Sequence, residues 1–411
     1  MKAALEAFFD TKTHNTTIQT EIVAGITTFI TMAYIIFVNP QMMAQSGMDH
    51  GAIFVGTCLA AAFACLFMGL YANWPVGLAP GMGLNAFFTY TVVGEMGYSW
   101  ETALGAVFIA GILFFIMSVT PLRRWMLDSI PLNLRIAMGA GVGLFIGFIG
   151  LKNGGIIVSN GATFLSLGDF TSSSTLLAGL GFLLIAILSI RKVPGAIIIG
   201  ILAVTFISVI LNLVQFDGIF ALPPDISPVF LELDILGALD VAMISVIVSF
   251  LFVNLFDTAG TLFGVASRAN LLEESGNIRN MDKALKADSS SSVFGSFFGC
   301  APVTSYVESS AGIEAGGRTG ITAVVVGILF LLLINFIIRL FGFTTIDFIL
   351  SAILDVGILA VFIIFQPEIR GLLYRIGQNP SIRLFGGKSS TEQVIDEVMN
   401  AVKHMSKEYI G

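Results

Sequence analysis

The chemistry open to this chain rests first on acids set in apolar surroundings. Asp257 stands in FLFVNLFDTAGTLFGVA and Glu308 in APVTSYVESSAGIEAGG. A carboxylate in hydrocarbon costs about 2.5–3.5 kcal/mol on insertion scales, so an acid at that depth by default faces a polar cavity and marks a substrate or proton path. Two such acids point to a transporter core rather than to an enzyme. The competing reading gives each a structural role, capping a helix or pairing with Arg or Lys. That reading is disfavoured for both at once, because each sits near a segment that cannot be a regular helix. A third acid, Asp288 in KADSSSSVFGS, is expected to be an interfacial helix cap.

The elements that must position these acids are membrane spans. The chain has 411 residues, 56% hydrophobic and only 11% charged, with a mean hydropathy of +0.92. That excludes an ordinary soluble protein. The 44 glycines suit close helix packing in lipid, and the 36 phenylalanines read as lipid-facing bulk. Cys58, Cys65 and Cys300 lie in apolar or small-residue stretches and offer neither a disulfide framework nor metal-ligand spacing. No metal, cofactor or nucleic-acid partner is implied. The polar first twenty residues carry no signal-peptide pattern, so the first apolar segment is expected to stay as an anchor.

A span needs roughly 20 apolar residues. That ruler gives about 12 segments, near 22–39, 52–71, 76–94, 101–119, 132–150, 175–190, 195–213, 237–266, 285–300, 301–315, 318–338 and 346–366. The third, ninth and tenth are weak, being short or rich in Gly, Ser and Pro. Arg123, Arg124, Arg191, Lys192, Arg268, Arg279, Lys283, Lys286 and Arg318 fall in alternate connections, on the side of Lys2 and Lys12. Lys152 and Arg339 are the exceptions, and the loop 214–236 is acidic. Positive charge marks the cytoplasmic side, which places the N-terminus there.

Two stretches break the rules of a spanning helix. In PVGLAPGMGLNAF (75–87), Pro80, Gly81 and Gly83 cannot sustain one. The other is APVTSYVESSAG (301–312). Irregular backbone at membrane depth survives only where protein buries it or a watery cavity lines it. Interrupted segments at matching places in two halves point to an inverted-repeat transporter with its site between the breaks. Free N–H groups there would bind acceptor atoms of a substrate. Asn85 either joins that site or satisfies the turn after Gly83. Thr304, Ser305 and Tyr306 either line it or bond helix to helix.

The motifs NPQMMAQSGMD (39–49), GLAPGMGLNAFFTYTVV (77–93), GAGVGLFIGFIGLKNGGIIV (139–158), FLFVNLFDTAGTLFGVA (250–266) and PVTSYVESSAGIEAGGRTGITAVV (302–325) closely resemble the AzgA-like guanine/hypoxanthine permeases. These belong to the nucleobase–cation symporter group. The resemblance runs from the N-terminus to about residue 330. It implies an all-α polytopic fold of seven-plus-seven inverted repeats, divided into core and gate, in the bacterial plasma membrane. It also implies proton-coupled purine uptake, with a homodimer as a compatible assembly. Carried over by motif, Asp257 and Glu308 would hydrogen-bond the purine, with one linked to the proton. Asn85 would complete the pocket, and the backbone around Gly81, Gly83, Thr304 and Tyr306 would add contacts. A purine offers N–H donors that suit carboxylate acceptors, and a protonatable acid couples affinity to pH. A sulfate-type anion carrier of the same fold is disfavoured, because paired acids repel anions.

After Leu331 the text changes. LLINFIIRLFGFTTIDFILSAILDVGILAVFIIFQPEIRGLLYRIGQ, with IIFQPEIR at 363–370, resembles the membrane segment and linker of a membrane-anchored bacterial diadenylate cyclase. The tail fits a cytoplasmic amphipathic helix, with Ser390 and Gln393 as a capping box and Val394, Val398, Val402 and Met405 as an apolar stripe. The second permease repeat is thereby expected to be incomplete and the join to be that of a chimaera or truncated fusion. The cyclase family's Asp-Gly-Ala and Arg-His-Arg motifs do not occur in the chain, so no cyclase activity is expected.

Overall fold

The computed structural model describes residues 6–120, 132–161, 163–211, 213, 224–271 and 278–340. The segment expected at 346–366 and the tail helix lie outside the described residues.

Small polar residues start the helices that the apolar runs sustain. Thr17 caps α1 (Ile18–Met32) through the amide of Thr20, and Asp49 caps α3 (His50–Phe67) through that of Ala52. Between them lies α2 (Ile35–Ala44), which carries Pro40. Ser99 caps α5 (Trp100–Val119) in the same way. Each such cap satisfies an amide that has no partner inside the helix. Further along come α6 (Leu132–Asn153), α7 (Ser173–Ile190), α8 (Ala196–Ile210), the short α9 (Ile235–Ala238) and α10 (Ile244–Arg268). Among the described residues, five helical stretches are long and apolar enough to cross a membrane: Ile18–Ala44, His50–Ala72, Trp100–Val119, Ser173–Ile190 and Val241–Arg268.

The expectation of an all-α chain needs correcting at two places. Strand β1 (Leu78–Pro80) pairs antiparallel with β4 (Val303–Ser305), in the register Leu78↔Ser305, Ala79↔Thr304, Pro80↔Val303. A second pair, β2 (Ile157–Asn160) with β3 (Phe164–Leu167), forms a hairpin between α6 and α7. The third, ninth and tenth expected spans are likewise not simple spans. The third is β1, then α4 (Met82–Ala86), then wide π-type turns over Phe87–Glu95. The ninth and tenth are α11 (Met281–Phe297), β4 and α12 (Ser309–Glu314). Proline and glycine end the helix in the first break. The amides and carbonyls thus freed pair across the two breaks, which is how backbone without helix survives at membrane depth.

The last described helix, α13 (Gly320–Leu340), packs against α1 and α3. Its start is fixed by Glu21, a wholly buried side chain of α1. The Glu21 carboxylate accepts from the amides of Arg318 at 2.8 Å and Thr319 at 3.2 Å, and from the Thr322 hydroxyl at 2.6 Å. A negative charge at a helix N-terminus meets both the free amides and the positive end of the helix dipole. Backbones touch nearby: a Cβ on Gly69 would lie 2.5 Å from the carbonyl oxygen of Gly320. Small residues permit that approach in place of a hydrophobic driving force.

Candidate functional site

The paired strands are the centre around which the acids assemble. α10 and α11 each place side chains one turn apart against β4. Asn254 Nδ2 donates to Ser292 Oγ at 2.8 Å, and Ser292 Oγ donates to the carbonyl of Val303 at 2.7 Å. One turn along both helices, Thr258 Oγ1 donates to Asp288 Oδ1 at 2.7 Å. Asp288 Oδ2 accepts from the Ser305 amide at 2.9 Å and from its hydroxyl at 2.6 Å. These two polar rungs tie two helices to a strand whose backbone has no helix to satisfy it. Thr304 adds a bond of its own, Oγ1 lying 3.1 Å from Thr258 Oγ1.

Asp288 is therefore not an interfacial cap, and that expectation is corrected. It is fully buried in the middle of α11 and accepts three hydrogen bonds. The serine run beside it suggested a helix end, whereas Ser289, Ser290 and Ser291 bond back to carbonyls of their own helix, the last two at 2.6 Å.

Asp257, on α10, is exposed and has no hydrogen-bond partner among the described residues. It lies within electrostatic reach of Asp288 and Glu308. Glu308, just before α12, is partly exposed, and its Oε1 accepts from the Tyr34 hydroxyl at 2.6 Å. The two acids thus lie within electrostatic reach of each other, Glu308 bonded to Tyr34 and Asp257 without a hydrogen-bond partner among the described residues. Tyr306 is 5% exposed and its hydroxyl donates to the carbonyl of Pro80 at 2.6 Å, stitching the second break to the first. Thr304 is 2% exposed and contributes to the ladder and the Thr258 contact. The amide of Gly81 donates to the carbonyl of Pro302 at 2.9 Å. A Cβ on Gly81 would lie 2.8 Å from Thr304 Cγ2, so the close approach of the two breaks requires glycine there. Gly83 is partly exposed in the first turn of α4.

Asn85 takes a different place. Its side chain is wholly enclosed, with Nδ2 donating to Asn39 Oδ1 at 2.5 Å. Asn39 Nδ2 donates in turn to Thr57 Oγ1 at 2.6 Å. This chain of amides ties α4 to α2 and α3 behind the lining. The Asn85 side-chain oxygen Oδ1 is buried and has no hydrogen-bond partner among the described residues.

Tyr34, Thr258 and Asn39 were not legible as site residues. Each lies in an ordinary apolar stretch, and only Asn39-Pro40 interrupts the first span visibly. A polar cavity of about 430 Å³ lies elsewhere, lined by Thr13, His14, Asn15, Ala269, Asn270, Leu271, Arg279 and Arg318. It contains none of the acids. Beside it, Arg279 Nη2 meets Asp10 Oδ2 at 3.1 Å. The Thr13 hydroxyl and this guanidinium hold the Asp10 carboxyl below the usual carboxylate range. Burial, and then Arg279, push the His14 imidazole below its usual value, so it is neutral at pH 7.

Comparison with known proteins agrees with this architecture. A family model described as the permease family matches residues 19–362, and so extends past Leu331, where the permease resemblance was expected to stop. The adenine permease AdeP of Escherichia coli is 49% identical over 330 residues, covering 80% of this chain and 74% of AdeP. The guanine/hypoxanthine permease PbuG of Bacillus subtilis is 42% identical over 369 residues, covering 87% and 83%. Among solved structures, the transmembrane domain of the cyanobacterial bicarbonate transporter BicA superposes with a TM-score of 0.61 at 16% identity, covering 85% of this chain and 89% of that one. At that identity the likeness concerns the fold alone.

Proposed function

The chain belongs to the permease family, and on that premise we propose that it carries purine nucleobases across a membrane by proton symport. The observation that carries this reading is that Asp257 lies within electrostatic reach of Glu308, which directly follows one of two paired, broken segments. An open carboxylate at Asp257 and a braced one at Glu308 suit a flat ring that presents several N–H donors, because an ionised carboxylate only accepts. The amides and carbonyls around Gly81, Gly83, Thr304 and Tyr306 border the same place and supply secondary contacts. Asn85 acts from behind, holding α4 in position. The relatives' names support a purine: AdeP is an adenine permease and PbuG a guanine/hypoxanthine permease.

In this reading one of the two acids takes the proton. A ligand that binds one protonation state of that acid better is coupled to the proton by linkage. The two breaks are the corresponding parts of seven-plus-seven inverted repeats, with the N-terminus cytoplasmic and the protein in the bacterial plasma membrane. An anion substrate is disfavoured, since paired acids repel anions unless both are protonated.

The test is uptake of radiolabelled adenine and hypoxanthine into proteoliposomes holding the full chain, with and without an inward proton gradient. Purine uptake that the gradient stimulates and that Asp257→Asn abolishes is expected. Uptake indifferent to Asp257→Asn refutes the site, and uptake indifferent to the gradient refutes the coupling.

A further inference from the structure

Tyr34 is a residue that purine chemistry alone does not call for. It stands where the first span stops being a regular helix: α1 ends at Met32 and α2 begins at Ile35. Between them the backbone tightens, the Ile36 amide bonding to the carbonyl of Ala33 at 3.2 Å and that of Phe37 to the carbonyl of Tyr34 at 3.1 Å. Such a tight turn inside a span marks a hinge or a local constraint. Pro40 lies one turn on, where it lacks the amide that would bond to the carbonyl of Ile36.

The consequence is where the phenol goes. Tyr34 is 1% exposed, and its hydroxyl donates to Glu308 Oε1, 274 residues further along the chain, at 2.6 Å. That length falls in the range of strong, charge-assisted O–H···O⁻ bonds. Thr31, a turn earlier, reaches the Glu308 carbonyl at only 3.4 Å and bonds more closely to Thr28 at 2.8 Å. Tyr306 cannot replace Tyr34, because its hydroxyl is committed to the carbonyl of Pro80.

We propose that Tyr34 is a positioning residue for purine recognition: its hydroxyl occupies one oxygen of Glu308 and fixes the other as the acceptor that meets the ligand. The inference rests on the purine reading of the site. A carboxylate has two oxygens and a soft terminal torsion, so alone it presents acceptors over a wide arc. Held by a phenol that is itself packed into the core, it presents one direction. The bond also gives Glu308 a partner when no ligand is bound.

Tyr34→Phe tests this by removing one oxygen and keeping the ring that packs. For the purified full chain, KM for hypoxanthine is expected to rise about tenfold, the scale of one lost charged hydrogen bond, with maximal uptake within about twofold of wild type. Placed on Glu308→Gln, the same change should weaken equilibrium hypoxanthine binding clearly less than on wild type, because the phenol then meets only a neutral amide oxygen. The infrared carboxylate band that vanishes in Glu308→Gln is expected to shift in Tyr34→Phe. An unchanged KM with an unmoved band overturns the proposal, as does an equal loss of binding on both backgrounds, which would mark mere packing. Wild-type protein that binds no purine at all overturns the purine reading first. Wild-type binding with an indifferent Tyr34→Phe overturns the Tyr34 assignment alone.

Discussion

Leu78–Pro80 and Val303–Ser305 share one ladder, yet their surroundings differ. β1 is wholly apolar in its side chains; outside the ladder its Pro80 carbonyl accepts from Tyr306, and Leu78 is bonded to the thiol of Cys65. That thiol donates to the carbonyl of Leu78 at 3.2 Å, and the Leu78 amide returns a bond to it at 3.1 Å. β4 is instead wired to α10 and α11 by Asn254, Ser292, Thr258 and Asp288. The segment after β1 brings glycines and an enclosed amide. The segment after β4 brings Glu308. The two paired breaks thus carry their charge on one side only.

The comparison can be broken by substitutions ranked by effect. The largest is expected from Glu308→Gln, which keeps the volume and removes the charge; purine uptake should fall at least about 100-fold, against a folded, monodisperse protein on size exclusion. Asp288→Asn comes next. Asparagine offers one acceptor oxygen where Asp288 accepts three bonds through two, so a buried donor at Ser305 or Thr258 loses its partner at a cost of about 1–3 kcal/mol. A lowered thermal midpoint and a roughly tenfold loss of uptake are the expected pair of readings, and a silent Asp288→Asn would show that β4 needs no acid to hold it.

Gly81→Ala should act more mildly on the first break. Its new methyl meets Thr304 Cγ2, an overpacking that costs about 1–3 kcal/mol, and a several-fold rise in KM should accompany it. Restoring room with Gly81→Ala plus Thr304→Ser should recover most of the loss. The smallest effect belongs to Cys65→Ser, where a hydroxyl takes over both bonds to Leu78; uptake should stay within about twofold. A Cys65→Ser as damaging as Asp288→Asn would erase the distinction between the breaks.

The sequence made the first break readable because Pro80 and Gly81 interrupt a helix, although Gly83, expected to do the same, lies inside α4, and an isolated acid in an apolar run is rare enough to be noticed. Asp257 and Glu308 were found that way. The ladder was not readable, since three-residue strands of Leu-Ala-Pro and Val-Thr-Ser have no periodicity and their pairing is long-range. Asp288 was misread because a serine run beside an acid looks like a helix start, when tertiary packing had buried it. Tyr34 gave no signal: a lone tyrosine among Ala and Ile looks like core, and only the fold reveals what its hydroxyl reaches. The hairpin at 157–167 was missed similarly, its residues serving a turn with Phe164 at φ 63°.

The bond from Tyr306 to Pro80 joins residues 226 positions apart, and the whole ladder spans the chain in the same way. During synthesis, residues 78–80 emerge long before residues 303–305 exist. Until then their amides and carbonyls have no ladder partner, and in a bilayer no water replaces it. The early half of the protein must therefore wait, partly unsettled, for the late half. That interval is when a membrane chaperone or protease has its opportunity, and it makes the order of translation part of how this site comes to exist.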